Sequence, residues 1–196
     1  MVVRGRPRSF DRQQALTAAM ELFWRKGYSA TSMADLYQAM GINSPSLYAA
    51  FGNKEDLYLE ALTCYEQNIA PLLWSPLDSA LSVREGVRQW LKCSAKVLTR
   101  DNAPQGCMVT LSTVASEGNA RLGAIVMGLR RQGIEKLTAR LERAVREGEL
   151  SAGIDTAALA RMYVGIQHGM SVQARDGAGF EALDAVADMA MALWPV

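Results

Sequence analysis

Apolar residues recur along this chain every three or four positions, and few stretches alternate with period two. Ala, Leu, Met, Glu, Gln and Arg dominate, so the pattern predicts an all-α protein. A first helix begins after Asp11, with Gln14 three residues on as in a capping box. It carries Leu16, Ala19 and Phe23 on one face and ends at Gly27. A second starts at Ser32, with Asp35 three residues later, and stops at Gly41. Only Gly41-Ile42-Asn43 separates it from a third helix, which Asn43 caps and Pro45 opens before it breaks at Gly52. Asn53 caps a fourth, with Leu57, Ala61, Leu62 and Tyr65 inward, which ends before Pro71.

Beyond this point Pro71, Ser75 and Pro76 predict a loop, followed by a helix from about Val83 to Thr99. Pro104 marks a second break, and Cys107 to Ser116 reads as a shorter helix. A long helix from about Asn119 to Glu147 places Leu122, Ile125, Leu129, Leu137, Leu141 and Val145 inward. Asp155 caps the next, striped by Leu159, Met162, Tyr163, Ile166 and Met170. The last is striped by Leu183, Val186, Ala187, Ala190 and Trp194.

Two short helices joined by a three-residue turn containing glycine form a helix-turn-helix arrangement, with Ala34, Leu36, Ala39, Ile42, Leu47 and Phe51 as its small core. Composition alone leaves a plain helical hairpin open. Net charge is only +1, but the chain up to Lys54 carries +4 and the remainder −3, so a basic head sits on a mildly acidic body. On the head, the start of the third helix offers Ser44, Ser46 and Tyr48, short donors and an aromatic hydroxyl suited to phosphates and base edges in a major groove. Thr31 and Ser32 stand at one helix N-terminus, Asn43 at the next and Lys54 at a third, where backbone N–H groups attract phosphate. Arg4, Arg6 and Arg8 surround Gly5 and Pro7 on an arm able to reach phosphates or an adjacent minor groove, or simply to stay solvated. Tyr48 has a packing role as its alternative.

These residues carry a resemblance. The run from Ala15 through Leu22-Phe23-Trp24-Arg25-Lys26-Gly27-Tyr28, the pair Thr31-Ser32, and Gly41-Ile42-Asn43-Ser44-Pro45-Ser46-Leu47-Tyr48-Ala49-Ala50-Phe51-Gly52-Asn53-Lys54-Glu55-Asp56-Leu57 resemble the TetR family of bacterial transcriptional regulators, over about residues 10 to 60. The resemblance implies a three-helix helix-turn-helix domain over 1–54 and a larger helical domain for effector binding and dimerisation over 55–196. It further implies a homodimer, joined through the last two helices, that binds a palindromic double-stranded DNA operator. Repression is the family default. Thr31, Ser32, Ser44, Ser46, Tyr48 and Lys54 match family positions that commonly contact DNA. The chain departs from the pattern at Ala49 and Ala50, where a histidine or similar polar residue is frequent, and at Ser44, where lysine is frequent. Both departures remove phosphate contacts and shift weight onto the basic arm.

The resemblance also implies an effector pocket between long helices. Candidate lining residues are Trp90, Cys93, Val97, Cys107, Met108, Leu111, Met127, Tyr163, Gln167, His168 and Met170, a Met- and Trp-rich set suited to a bulky apolar or aromatic ligand. Taken singly, each is equally a core residue. Cys107 follows Pro104-Gln105-Gly106 at an expected helix N-terminus, which lowers a thiol pKa, so a thiol-based sensor of electrophiles or oxidants is the alternative reading. Gly165, Gly169, Ala174, Ala182, Ala185 and Ala192 allow close helix approach in the last two helices.

Other classes find less support. One histidine, His168, sits mid-helix among apolar residues, and no GxSxG, HExxH, P-loop or dinucleotide fingerprint is present, so no enzyme and no cofactor are expected. Cys64, Cys93 and Cys107 are far apart with no CxxC spacing, which favours a reducing cytoplasm and gives no support to a metal site. No apolar run of membrane-spanning length and no secretory signal occur, so a cytoplasmic location is expected, and the resemblance implies association with the nucleoid.

Overall fold

A computed structural model describes residues 10–195 and is all-helical, with no strand among them. The helices are α1 (Arg12–Lys26), α2 (Met33–Met40), α3 (Ser44–Phe51), α4 (Lys54–Asn68), α5 (Ala70–Ser79), α6 (Val83–Leu98), α7 (Ala120–Arg146), α8 (Thr156–Arg175) and α9 (Phe180–Met191).

Caps determine where the first four helices begin. Asp11 accepts the N–H groups of Gln13 and Gln14, Ser32 and Asp35 form a reciprocal capping box, Asn43 accepts from Ser46, and Asn53 and Asp56 form a second box. Gly41 turns α2 toward α3 in the left-handed conformation (φ 64°, ψ 28°), which a side chain would strain. Leu36, Met40, Ile42, Leu47 and Phe51 are buried between these helices and α1. Ala34 and Ala39 are exposed instead of forming part of this core. The inward stripe of α2 runs through Leu36 and Met40, with Met33 and Tyr37 partly buried beside it, and this leaves 34 and 39 outside. Arg12 ties the unit together: it pairs with Glu60 at 2.7 Å, donates to Ala50 O and lies over the Phe51 ring.

The larger body packs α5 on α6, α6 on α9, and α7 on α8. Three expectations fail there. The segment 70–79 is helical, not a loop, because Pro71 occupies the first turn, where its missing N–H costs nothing. Pro76 lies inside the helix, so the carbonyl of Leu72 has no N–H four residues on. The Cys93 thiol donates to that oxygen at 3.0 Å. Conversely, 107–116 forms turns, not a helix. Its carbonyls at Val109, Thr110 and Ser112 are collected by the Arg130 guanidinium, a long-range donor that replaces an internal ladder. On α7 and α8, Ile125 and Met162 face solvent, outside the inward stripes expected for them.

Candidate functional site

Two features stand apart from simple packing: the outer face of α2–α3 and a cavity in the larger body.

On the first, Ser32, Asn43 and Tyr48 are exposed, and Ser44 and Ser46 half-exposed. Thr31 is fully buried, with its hydroxyl donating to Gly27 O at 2.6 Å, so only its backbone remains for contacts. Between Lys26 and Lys54 the sole charged residue is Asp35. Its carboxyl is held down to about 2, first by the Ser32 backbone N–H and then by Lys26, whose ammonium lies 3.0 Å away. The Lys54 ammonium stands 4.4 Å above the Tyr28 ring; partial burial lowers its pKa, and Glu117 works against that shift. Tyr37, which sequence reasoning missed, donates from its hydroxyl to Ser44 Oγ at 3.0 Å. An aromatic residue in a helix stripe reads as core, so no local signal marked it. Arg4, Arg6 and Arg8 lie outside the described residues.

The cavity has a volume of about 480 Å³, within the range of about 300–1,000 Å³ usual for small-molecule sites. Its walls come from α4 (Tyr65, Glu66), α5 (Ala70, Pro71, Leu73, Trp74, Ser75), the turn segment (Cys107, Val109, Thr110), α7 (Leu129, Arg130, Gln132, Gly133, Lys136) and α8 (Val164, Gln167, His168). Burial, and then Arg130, push the His168 pKa down, which favours the neutral ring. Burial pushes the Glu66 carboxyl up. Trp74 stacks on Trp90 at 5.1 Å and has the Lys136 ammonium near its ring. The Cys107 sulfur receives the Tyr65 hydroxyl at 3.3 Å and the Thr110 N–H at 3.5 Å. Burial raises the Tyr65 pKa well above its usual value, and Cys107 adds to this.

Cys107, Gln167 and His168 therefore meet at one cavity. Trp90, Val97, Met108, Tyr163 and Met170 are buried in the core. The Tyr163 hydroxyl donates to Ala190 O, and burial pushes its pKa up to about 12. Cys93 serves α5. Leu111 is half-buried and does not line this space, and Met127 is half-exposed on α7. Sequence reasoning passed over Tyr65, Glu66, Trp74, Arg130 and Lys136. Once 70–79 reads as a loop, Trp74 has no helical face to present.

The cavity wall is joined to the helix-turn-helix unit. Trp24 on α1 donates from Nε1 to Gly106 O at 3.2 Å and meets the Tyr65 ring edge-on. Arg175, at the end of α8, donates to Gln105 O (3.0 Å), Arg25 O (3.2 Å) and Trp24 O (2.8 Å). Gly106 has φ +76°, and a Cβ there would lie 2.4 Å from Leu111 and 2.7 Å from Ser171 O, so the loop is pressed onto α8. Away from the cavity, α8 and α9 expose Met162, Val172, Phe180 and Met189, with Gly165, Ala182 and Ala185 also exposed, while Ala174 is buried. Among the described residues no helix is long and apolar enough to cross a membrane, and no group of three metal-ligating side chains converges.

Residues 15–61 match the family model described as bacterial regulatory proteins, tetR family. The chain is 35% identical to the HTH-type transcriptional repressor ComR of Escherichia coli (strain K12), over 98% of this chain and 92% of that protein. Among solved structures it is similar to a cysteine mutant of the TetR family transcriptional regulator CifR complexed with 26-base-pair operator DNA. That match has 39% identity and a TM-score of 0.92, and it covers 97% of this chain and all of the other. The reduced form of E. coli NemR shares the fold at 17% identity and a TM-score of 0.77, over 91% and 94% of the two chains.

Proposed function

The chain belongs to the TetR family of bacterial regulatory proteins, and from that membership we propose that it is a repressor that binds a palindromic operator as a homodimer and releases it when a small ligand fills the cavity. It acts as a regulator and not as an enzyme. Residues 1–54 serve DNA; residues 55–196 serve effector and dimer. Thr31, Ser32, Asn43, Ser44, Ser46, Tyr48 and Lys54 form the DNA-facing set. Thr31 contributes its backbone, and Arg4, Arg6 and Arg8 supply charge that α2 and α3 lack. The second copy covers the exposed apolar and small residues of α8 and α9. Such pairing holds the two recognition helices about one DNA turn, ~34–36 Å, apart. The protein works in the cytoplasm, on the nucleoid, without cofactor or metal.

The observation that carries this reading is the continuity from cavity to α1. Cys107 lines the cavity, its neighbour Gly106 accepts from Trp24, and Arg175 grips the end of α1 from the helix that carries Gln167 and His168. A ligand that displaces α8 or the turn segment must move α1, and with it the half-site spacing. The mostly apolar wall with Trp74 suits an apolar or aromatic ligand. The test is selection of bound sequences from randomised DNA, then a ligand screen read by tryptophan fluorescence and operator release. Absence of any preferred palindrome sinks the operator reading, and ligands that quench Trp74 without release sink the coupling.

A second reading has its own observation: the Tyr65 hydroxyl and the Thr110 N–H both meet the Cys107 sulfur where it borders the cavity. On this reading the sulfur adds to the electrophilic carbon of an activated alkene, the π bond breaks and the thiol proton passes to the neighbouring carbon. Electrophile-triggered release that survives Cys107→Ser removes it.

A further inference from the structure

The face of α2–α3 holds two hydroxyls in contact and no cation, and their hydrogen bond has a direction. The single Tyr37 hydroxyl proton goes to Ser44 Oγ at 3.0 Å. Ser44, having received a proton from within, keeps its own O–H for the outside. A serine hydroxyl at a helix start is ordinarily a free rotor that also bonds to local backbone. Tyr37 removes that freedom, and hydrogen bonds in a chain polarise one another.

We propose that Tyr37 is a positioning residue for base reading, which fixes Ser44 as an outward donor. This rests on the operator-binding function proposed above. The matching edge in a major groove is an acceptor opposite Ser44, such as a purine N7 or guanine O6. Selectivity thus comes from an oriented neutral group on a face where Asp35 is the only charge, and that charge is already spent on Ser32 and Lys26.

The experiment compares wild type with Tyr37→Phe, Ser44→Ala and the double variant on the selected operator and on mixed-sequence DNA, with thermal melting alongside. Tyr37→Phe keeps the half-buried ring. It is expected to weaken operator binding about five- to tenfold, the loss of one oriented hydrogen bond. Mixed-sequence binding, its salt slope and the melting temperature stay unchanged. The double variant binds about as Ser44→Ala alone, because the two residues act as one unit. Operator binding by Tyr37→Phe equal to wild type, an equal loss on mixed-sequence DNA, or additive losses would each overturn the proposal. A second arm needs no variant fold: replacing purines by 7-deazapurines, one position at a time, should weaken wild type at a position where Ser44→Ala is indifferent. If no such position exists, the proposal fails. If wild type selects no site at all, the operator reading itself has failed, which is a separate outcome.

Discussion

Arg175→Ala removes the one side chain that grips the end of α1 from α8. Its three hydrogen bonds reach Trp24 O, Arg25 O and Gln105 O. The first two acceptors lie in the last turn of α1, where the helix offers its own carbonyls no N–H. Hydrogen bonds from a charged donor contribute about 1.5–3 kcal/mol each, but their simple sum overstates the effect. Burial already pushes the Arg175 pKa down, a sign that desolvation opposes the contact. The site is also partly open, so water reaches the freed carbonyls and screens the charge. The expected net loss is about 2–4 kcal/mol. Arg175→Lys keeps the charge without the planar fork and should lose about half of that. The assay is urea unfolding at fixed protein concentration, because association adds to apparent stability, with operator affinity measured in parallel. A loss below about 0.5 kcal/mol for Arg175→Ala would show that these bonds do not hold the two parts together, since a change that small is ordinary for surface substitutions. Full ligand-triggered release by the variant would refute the clamp as a transmission element.

Three further outcomes follow from the same packing. Gly106→Ala places a methyl against Leu111 and Ser171 O at a positive φ and should cost about 2–4 kcal/mol, whereas Gly41→Ala, with open space around it, should cost only about 1 kcal/mol of left-handed strain; melting temperatures in the reverse order would refute this. Cys93→Ala leaves Leu72 O unpaired and should cost about 1 kcal/mol, and the cost should vanish in a Pro76→Ala background, where the restored backbone N–H takes that oxygen; equal costs in the two backgrounds would disprove the pairing. His168 has its pKa lowered in the folded state by burial and by Arg130, so the unfolded chain takes the proton first and stability falls as pH drops below the ordinary 6.5. His168→Gln should flatten that slope, and an unchanged slope would assign it to other groups.

What was legible in the sequence is what short-range chemistry dictates. A cap binds the N–H two or three residues ahead, so Asp11, Ser32, Asn43, Asn53 and Asp155 announced the starts of α1, α2, α3, α4 and α8 by themselves. Gly41 announced its turn for the same local reason. The family motifs, and hence the outline of the fold, lie in this short-range layer.

Tertiary structure decided whatever depends on a partner far along the chain. Proline chemistry forecast a break at 71–76, yet packing of Leu73 and Leu77 on α6 keeps α5 helical, and Cys93, distant in sequence, satisfies its one orphaned carbonyl. Helical propensity forecast a helix at 107–116, yet Arg130 draws its carbonyls aside and thereby brings Cys107 to the cavity. The sequence named the outward hydroxyls of α3, but Tyr37, the residue that bonds to Ser44 among them, belongs to another helix. A hydrogen bond across helices depends on where the helices cross, and no window of sequence encodes that crossing.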